Sequence, residues 1–227
     1  MLFAIGDVHG HFDKLMALMR HCADHAGQRG EDARFILLGD YIDRGPASNE
    51  VLEFLASRPA NAEALRGNHE DMMLRALEHP EEAERWHNNG GLDTLDSYWA
   101  TTGGEVPVEH IRLVESLPLF IDDGLRLFVH AGIDPLDPEA RDPHILLWTR
   151  NHPADDAVLP RFIVHGHTPT RDRKPDLRPN RLNLDTGAGW GHALTAAAFD
   201  DGKAAPLCFI RHDGLRSPAV AGASFGP

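Results

Sequence analysis

Short apolar runs that stop at a glycine recur along this chain, and polar residues follow each of them. Residues 2–5 (Leu-Phe-Ala-Ile) predict a short strand, and Gly6-Asp7-Val8-His9-Gly10 comes next. Residues 35–38 (Phe-Ile-Leu-Leu) predict a buried strand, which ends in Gly39-Asp40-Tyr41-Ile42-Asp43-Arg44-Gly45. Residues 62–65 predict a third strand, followed by Arg66-Gly67-Asn68-His69-Glu70. Helical periodicity fills the gaps. Leu15, Leu18, Met19 and Cys22 give residues 11–26 one apolar face, and Gly27 and Gly30 end it. Pro46 predicts the opening of a second helix, with Val51, Leu52 and Leu55 as its stripe. A third runs over 70–78 (Met72, Met73, Leu77) and stops at His79-Pro80. Three strand–loop–helix units in succession predict a parallel, layered α/β sheet whose loops gather along one edge.

The pattern then changes. Residues 81–117 carry no strand signal and predict a helical insertion beside that edge. Its apolar anchors are Trp86, Leu92, Leu95, Tyr98 and Trp99, and Asn88-Asn89-Gly90-Gly91 is a turn. Residues 119–122 and 125–129 bracket Asp123-Gly124 as a hairpin, and the second strand runs into His130-Ala131-Gly132. Residues 162–164 predict a strand before His165-Gly166-His167-Thr168-Pro169. Residues 170–180 read as a basic, Pro-rich surface loop. Residues 182–184 lead to Asp185-Thr186-Gly187, and 193–199 and 206–211 read as antiparallel closing strands around Asp201-Gly202. The tail from Ser217 is small and Gly/Ala-rich, and is expected to fray. No repeat or linker divides the chain, so one domain is expected over residues 1–227.

Composition narrows the function classes. A net charge of −13 repels extended polyanions, which argues against a nucleic-acid polymer as partner. No apolar run approaches the roughly 20 residues that span a bilayer, and no signal peptide is visible, so no membrane partner is expected. Cys22 and Cys208 give neither a disulfide framework nor a thiolate metal pattern, and a reducing cytoplasm is the expected location. Nothing demands more than a monomer.

The polar residues at predicted strand ends are Asp7, His9, Asp40, Asn68, His69, His130 and His167. In isolation each block also reads as a polar turn, but the series is specific because every block directly follows a strand. Carboxylate, imidazole and amide donors without thiolate suit Mn, Fe or Zn. Seven donors are too many for one ion and suit two. A pair of cations about 3.5–4 Å apart grips both sides of an in-line phosphoryl displacement. Asp40, central in the sheet, is the natural bridge. No Asp or Cys nucleophile lies in a phosphate-cradling loop.

Gly-Asp-Val-His-Gly (6–10), Gly-Asp-Tyr-Ile-Asp-Arg-Gly (39–45), Gly-Asn-His-Glu (67–70), His-Ala-Gly (130–132) and Gly-His-Thr-Pro (166–169) together resemble the phosphoprotein phosphatase branch of the calcineurin-like metallophosphoesterases. The likeness runs from residue 3 to about 210 and is strongest to small bacterial and phage serine/threonine phosphatases. Leu-Trp-Thr-Arg (147–150) and Leu-Asp-Thr-Gly-Ala (184–188) share it. It implies a four-layer α-β-β-α sandwich and two divalent metal ions, Mn²⁺ first, with Fe or Zn compatible. One ion falls to Asp7, His9 and Asp40, and the other to Asp40, Asn68, His130 and His167. It makes His69 the general acid, paired with Asp43, and Arg44, Arg66 and Arg150 the phosphate clamp. A metal-bridging hydroxide then attacks phosphorus directly, on a phosphorylated protein or a small phosphoester. His165 reads as structural or supporting, and His192, where the family commonly has Gly, as structural.

The main competing reading is a symmetrical diadenosine tetraphosphate hydrolase of the same superfamily, which shares the Asp-Thr-Gly region and a following tryptophan (Trp190 here). That branch commonly has Ala at the position of Asp43, and its fourth histidine usually lacks the Thr-Pro that follows here. A non-catalytic metal-binding scaffold is a reading of another class, opposed by the presence of every expected ligand and acid. A phosphodiesterase is a third.

Overall fold

The computed structural model describes residues 1–220. Chain order is β1 (Leu2–Ile5), α1 (Phe12–Gly27), β2 (Arg34–Leu37), α2 (Ser48–Ala56), β3 (Ala62–Ala64) and α3 (Asn68–Glu78). Four short helices follow: α4 (Ala83–Trp86), α5 (Leu92–Ser97), α6 (Trp99–Thr102) and α7 (Val108–Ser116). Then come β4 (Phe120–Asp122), β5 (Arg126–Val129), α8 (Pro143–Trp148), β6 (Phe162–His165), β7 (Asp176–Leu177), β8 (Arg181–Asn183), β9 (Thr195–Phe199), β10 (Cys208–Arg211) and β11 (Arg216–Pro218).

These strands form two sheets. One runs β11-β10-β9-β1-β2-β3, with β1, β2 and β3 parallel and β9 antiparallel to β1. The other runs β4-β5-β6-β8-β7, with β5, β6 and β8 parallel. Side chains alternate across each strand, and both faces of the central strands are apolar. Leu2, Ala4, Ile36, Leu38 and Phe199 from the first sheet meet Phe128, Val164 and Leu182 from the second. Phe3, Ile5, Phe35 and Leu37 point the other way, onto Leu15, Leu18 and Cys22 of α1, Val51 and Leu52 of α2 and Met73 of α3. On the outer face of the second sheet, Leu127, Val129 and Ile163 pack with Ile133 and with Leu146 of α8. The order helices, sheet, sheet, helix is the expected four-layer sandwich. The parallel β1-α1-β2-α2-β3 half follows the apolar pattern almost residue for residue. Among the described residues no helix is long and apolar enough to cross a membrane.

Several local expectations are corrected. Pro46 lies in a turn and α2 starts at Ser48, because Asp43 and Arg44 first pass through left-handed backbone (φ 72° and 69°). Leu77, Leu92 and Trp99 are exposed rather than anchoring: Met72, Met73 and Ala76 take the buried face of α3, and Trp86 and Tyr98 supply the buried aromatics of the helical stretch. The turn at residues 88–91 is a kink between helical turns, centred on Gly90 (φ 106°). The loop at 170–180 contains β7, paired antiparallel with β8. Ser217 does not fray: it is buried in β11, opposite Phe209 of β10. The rest of the expected tail, 221–227, lies outside the described residues.

Phe199 sits between the sheets with its ring edge-on to Phe128 (6.3 Å between centroids), and both are fully buried. Phe199→Ala is expected to destabilise the protein by about 3–5 kcal/mol. Urea unfolding checks this as a lower midpoint at unchanged slope.

Candidate metal centre and acid pair

The residues of interest sit where the parallel strands of both sheets end. Asp7 and His9 follow β1, Asp40 follows β2, and Asn68 and His69 open α3 after β3. His130 follows β5, and His167 follows β6. The backbone there is strained. Of the seven non-glycine residues with positive φ among the described residues, five are His9, Asp40, Asp43, Arg44 and His167. Such conformations cost on the order of 1–3 kcal/mol each and persist only where the surroundings enforce them.

What enforces them is contact between loops. A Cβ on Gly39 would lie 2.7 Å from Cα of Gly67, and one on Gly67 would lie 2.3 Å from the backbone nitrogen of Asp40. Two main chains therefore touch where only glycine fits. Glu70, fully buried, ties them together. Its Oε2 accepts from the N–H groups of Asp40 and Gly67 (both 2.9 Å), and its Oε1 from those of Tyr41 (2.7 Å) and Ile42 (3.3 Å). Burial and the nearby Asp40 carboxylate push Glu70 up to about 7.

Two donor groups result, both centred on Asp40. The ligand atoms of His9, Asp40 and His69 lie within 4.8 Å of one another, and so do those of Asp40, His130 and His167. Backbone carbonyls orient two of the imidazoles: His9 Nδ1 donates to the carbonyl of Ile42 and His130 Nδ1 to that of Leu38, each at 2.9 Å. Their Nε2 atoms therefore keep lone pairs facing inward, the usual arrangement of ligating histidines. Asn68 Oδ1 lies 2.8 Å from both His130 Nε2 and His167 Nδ1. His167 Nε2 is buried without a partner. Asp7 accepts from the backbone N–H of His167 at 3.0 Å.

Electrostatics fit a cation there. Burial, with neighbouring imidazoles, holds His9 well below its ordinary range and brings His167 down to about 3; burial also lowers His130. All three are neutral at pH 7, as ligands must be. Burial and the carboxylates of Asp185 and Asp40 push Asp7 well up, and burial takes Asp185 to about 6. Burial also opposes ionisation of Asp40, but His130, His69, His9 and His167, when protonated in acid, outweigh it and its pKa falls. Three buried carboxylates, of which Asp40 raises the proton affinity of the other two, beside the unpartnered Nε2 of His167, are chemically a site for hard or borderline divalent ions.

Beside these donors, His69 Nδ1 lies 2.6 Å from Asp43 Oδ2. Asp43 has no exposed surface. Its Oδ1 accepts from Trp86 Nε1 (3.0 Å) and Thr94 Oγ1 (2.7 Å), and its own N–H donates to Thr94 Oγ1 and Ser48 Oγ. Burial disfavours the imidazolium of His69, but the Asp40 charge and the Asp43 hydrogen bond outweigh it and raise the pKa. Among these histidines it is the one shifted upward, as a proton donor requires.

Residues 2–198 match the calcineurin-like phosphoesterase family. The chain belongs to that family. It is 32% identical over 206 residues to serine/threonine-protein phosphatase 1 of Salmonella typhimurium, covering 86% of this chain and 90% of that one. It is 30% identical over 225 residues to the asymmetrical bis(5'-nucleosyl)-tetraphosphatase PrpE of Bacillus velezensis, covering 87% and 88%. The crystal structure of a putative diadenosine tetraphosphatase shares the fold (TM-score 0.67, 20% identity, covering 97% of this chain and 94% of that one). The chain is thus a hydrolase of the phosphoesterase superfamily, with His/Asp groups that could bind metal ions.

The phosphoesterase brings the six residues expected as ligands and the His69–Asp43 pair together where the parallel strands of its two sheets end. The three arginines differ. Arg44 lies inside the cluster, its guanidinium 2.7 Å from His9 Nε2 and 2.9 Å from His69 Nε2, and 4.7 Å from the ring centre of exposed Trp190. Arg66 donates instead to the carbonyl of Glu115 in α7. Arg150 is exposed at the rim and makes no hydrogen bond among the described residues, though its charge helps lower His167. His165 is buried with its ring tilted against that of His152 (4.6 Å between centroids), and His192 is exposed, its carbonyl accepting from Lys14. Sequence reasoning missed Glu70, Trp86, Thr94 and Asp185. Glu70 had a signal, since a Glu three residues beyond a helix N-cap is half a capping box.

Glu70→Gln replaces an all-acceptor carboxylate with an amide that must turn a donor toward backbone N–H groups. The expected result is metal affinity about 10–100-fold weaker, measured by calorimetric titration of the metal-free protein.

Proposed function

We propose that this phosphoesterase is a dinuclear-metal phosphomonoesterase acting on phosphoserine and phosphothreonine side chains. The observation that carries the reading is the 2.6 Å His69–Asp43 pair, with Asp43 buried and clamped. A serine or threonine alkoxide is a strongly basic leaving group and needs a proton as it departs. A nucleotide leaving group departs as a weakly basic phosphate and needs none near neutrality. A buried carboxylate dedicated to one imidazole is therefore an investment suited to alkoxides.

Asp7, His9 and Asp40 would hold one cation, and Asp40, Asn68, His130 and His167 the other. Manganese is the leading candidate, with iron or zinc compatible. When bound, the ions supply Lewis acidity and an activated water. The protein's own groups do the rest. Arg44 is placed to take phosphate oxygens in bidentate fashion, and Arg66 and Arg150 can swing in from the rim. His69, held by Asp43 in one tautomer and orientation, delivers its proton to the departing oxygen.

The second reading, hydrolysis of a dinucleoside tetraphosphate, is favoured by the likeness to the PrpE protein and by Trp190. That ring is 59% exposed beside Arg44 and offers a flat face to a base.

The two readings separate on leaving groups. His69→Asn is expected to lower kcat on a phosphoserine peptide by about 10²–10⁴, and on p-nitrophenyl phosphate, whose leaving group needs no acid, by about tenfold or less. Equal losses on both remove the acid role. If wild-type enzyme cleaves diadenosine tetraphosphate with far higher kcat/KM than the peptide, the second reading replaces the first.

A further inference from the structure

A cavity of about 540 Å³ lies on the far side of the His167 loop, between that loop, β7 and β8 of one sheet and Phe209 of the other. Five basic and two acidic side chains line it, in a chain of net charge −13. Two of the bases are already neutralised: Arg178 pairs with Asp176 (2.7 Å) and Asp155 (3.2 Å), and Arg181 with Asp155 (2.7 Å). The other three, Arg150, Arg171 and Lys174, have no ion pair or side-chain hydrogen bond among the described residues. Three unpaired cations around one concavity repel one another and focus a positive potential into it.

Two further observations point to a ligand. His165 and Thr170 line the cavity, are 1% and 8% exposed, and carry buried polar atoms, Nε2 and Oγ1, without a partner. Buried polar atoms left in that state are uncommon. Thr170 Oγ1 can donate directly to an oxyanion, whereas His165 Nε2, an acceptor because Nδ1 donates to the carbonyl of Gly166, takes a hydrogen from a water bound with the anion. The cavity also shares a loop with the metal centre. Thr168 and Pro169, in its wall, directly follow His167. Arg150 lines the cavity and acts electrostatically on His167.

We infer that this cavity is an anion subsite that holds a second phosphoryl group of the substrate while the scissile one lies at the metal centre. Arg171 and Lys174 hold the second group, and Arg150 sits between the two positions. The inference rests on the proposed phosphoesterase site and deepens it: preferred substrates carry at least two phosphoryl groups. That chemistry has two sources, a peptide phosphorylated at two nearby residues and a nucleoside polyphosphate. The partly apolar wall of Leu177, Pro175 and Phe209 accommodates either a peptide side chain or a base.

The test uses the metal-loaded enzyme and the double variant Arg171→Ala/Lys174→Ala. Neither residue belongs to the donor cluster or the acid pair, so hydrolysis of p-nitrophenyl phosphate is expected to stay within about twofold of wild type. Inhibition of that reaction by methylphosphonate is compared with inhibition by α,ω-alkanediphosphonates of one to five methylenes, at fixed free metal. At least one diphosphonate is expected to bind wild type about tenfold or more tightly than methylphosphonate, and the variant is expected to lose that advantage. If no diphosphonate outperforms methylphosphonate, or the advantage survives in the variant, the subsite does not exist. In a second arm, kcat/KM of both proteins is measured on a doubly phosphorylated peptide and on diadenosine tetraphosphate. The substrate whose value falls about tenfold in the variant is the source of the second phosphoryl group, and loss on neither overturns the inference. The diphosphonate arm does not depend on which ester the enzyme prefers, so a failure of the phosphoserine reading leaves it interpretable.

Discussion

A single buried carboxylate holds the loops of this protein in the only arrangement that makes a site. Glu70 accepts four backbone N–H groups, three from the segment after β2 and one from the segment before α3. Those N–H groups belong to left-handed or turning backbone that no sheet or helix can satisfy, and leaving them unpaired in the interior costs about 1–3 kcal/mol apiece. The carboxylate that serves them stands next to Asp40, so the scaffold places two buried acids side by side. The imidazoles of His9, His69, His130 and His167 around Asp40 make that tolerable. The acids that fix the backbone and the bases that face the centre thus form one electrostatic unit.

The helices between β3 and β4 have a sharper role than covering the sheet. Trp86 and Thr94 deliver two hydrogen bonds to Asp43, and the carbonyl of Gly90 accepts from the N–H of Arg44 at 3.4 Å. A Cβ on Gly90 would come within 2.8 Å of that same nitrogen, so the kink in the helical stretch is what lets the chain reach the acid pair. On the proposed acid role of His69, the stretch from α4 to α6, which contributes none of the expected metal ligands, would govern proton delivery. Changes there would then alter leaving-group preference while leaving the donor cluster untouched.

Much of this was legible in the sequence. The blocks at 6–10, 39–45, 67–70, 130–132 and 166–169 announce themselves because each stops an apolar run at the same end of a strand, and parallel topology carries those ends to one edge. The two-sheet sandwich was not legible from periodicity: β5 and β6 are as apolar as β1 and β2, and nothing local says which sheet a strand joins. Supporting residues were harder still. Trp86 and Tyr98 are both large and buried, yet only Trp86 reaches the site, and that difference depends on a rotation about Gly90 that no pattern encodes. Leu77, Leu92 and Trp99 misled for the opposite reason, since apolar residues in short helices need not face a core. Arg66 and Arg44 look alike as arginines beside a glycine, but one turns toward a backbone carbonyl of α7 and the other toward the imidazoles.

Strand order has a consequence for how the molecule comes into being. β1 is paired on one side with β2 and on the other with β9, some 190 positions later in the chain, and Asp7 takes its hydrogen bond from His167. A chain emerging from the ribosome can form the β1-α1-β2-α2-β3 half early, because those contacts are local. That half carries Asp7, His9, Asp40, Asn68 and His69 but lacks the later histidines, and the flank of β1 stays open as an edge strand. Until β9 is added, one hydrogen-bonding edge of β1 has no partner, and the polar side chains of the first half stand without His130 and His167, which complete the cluster.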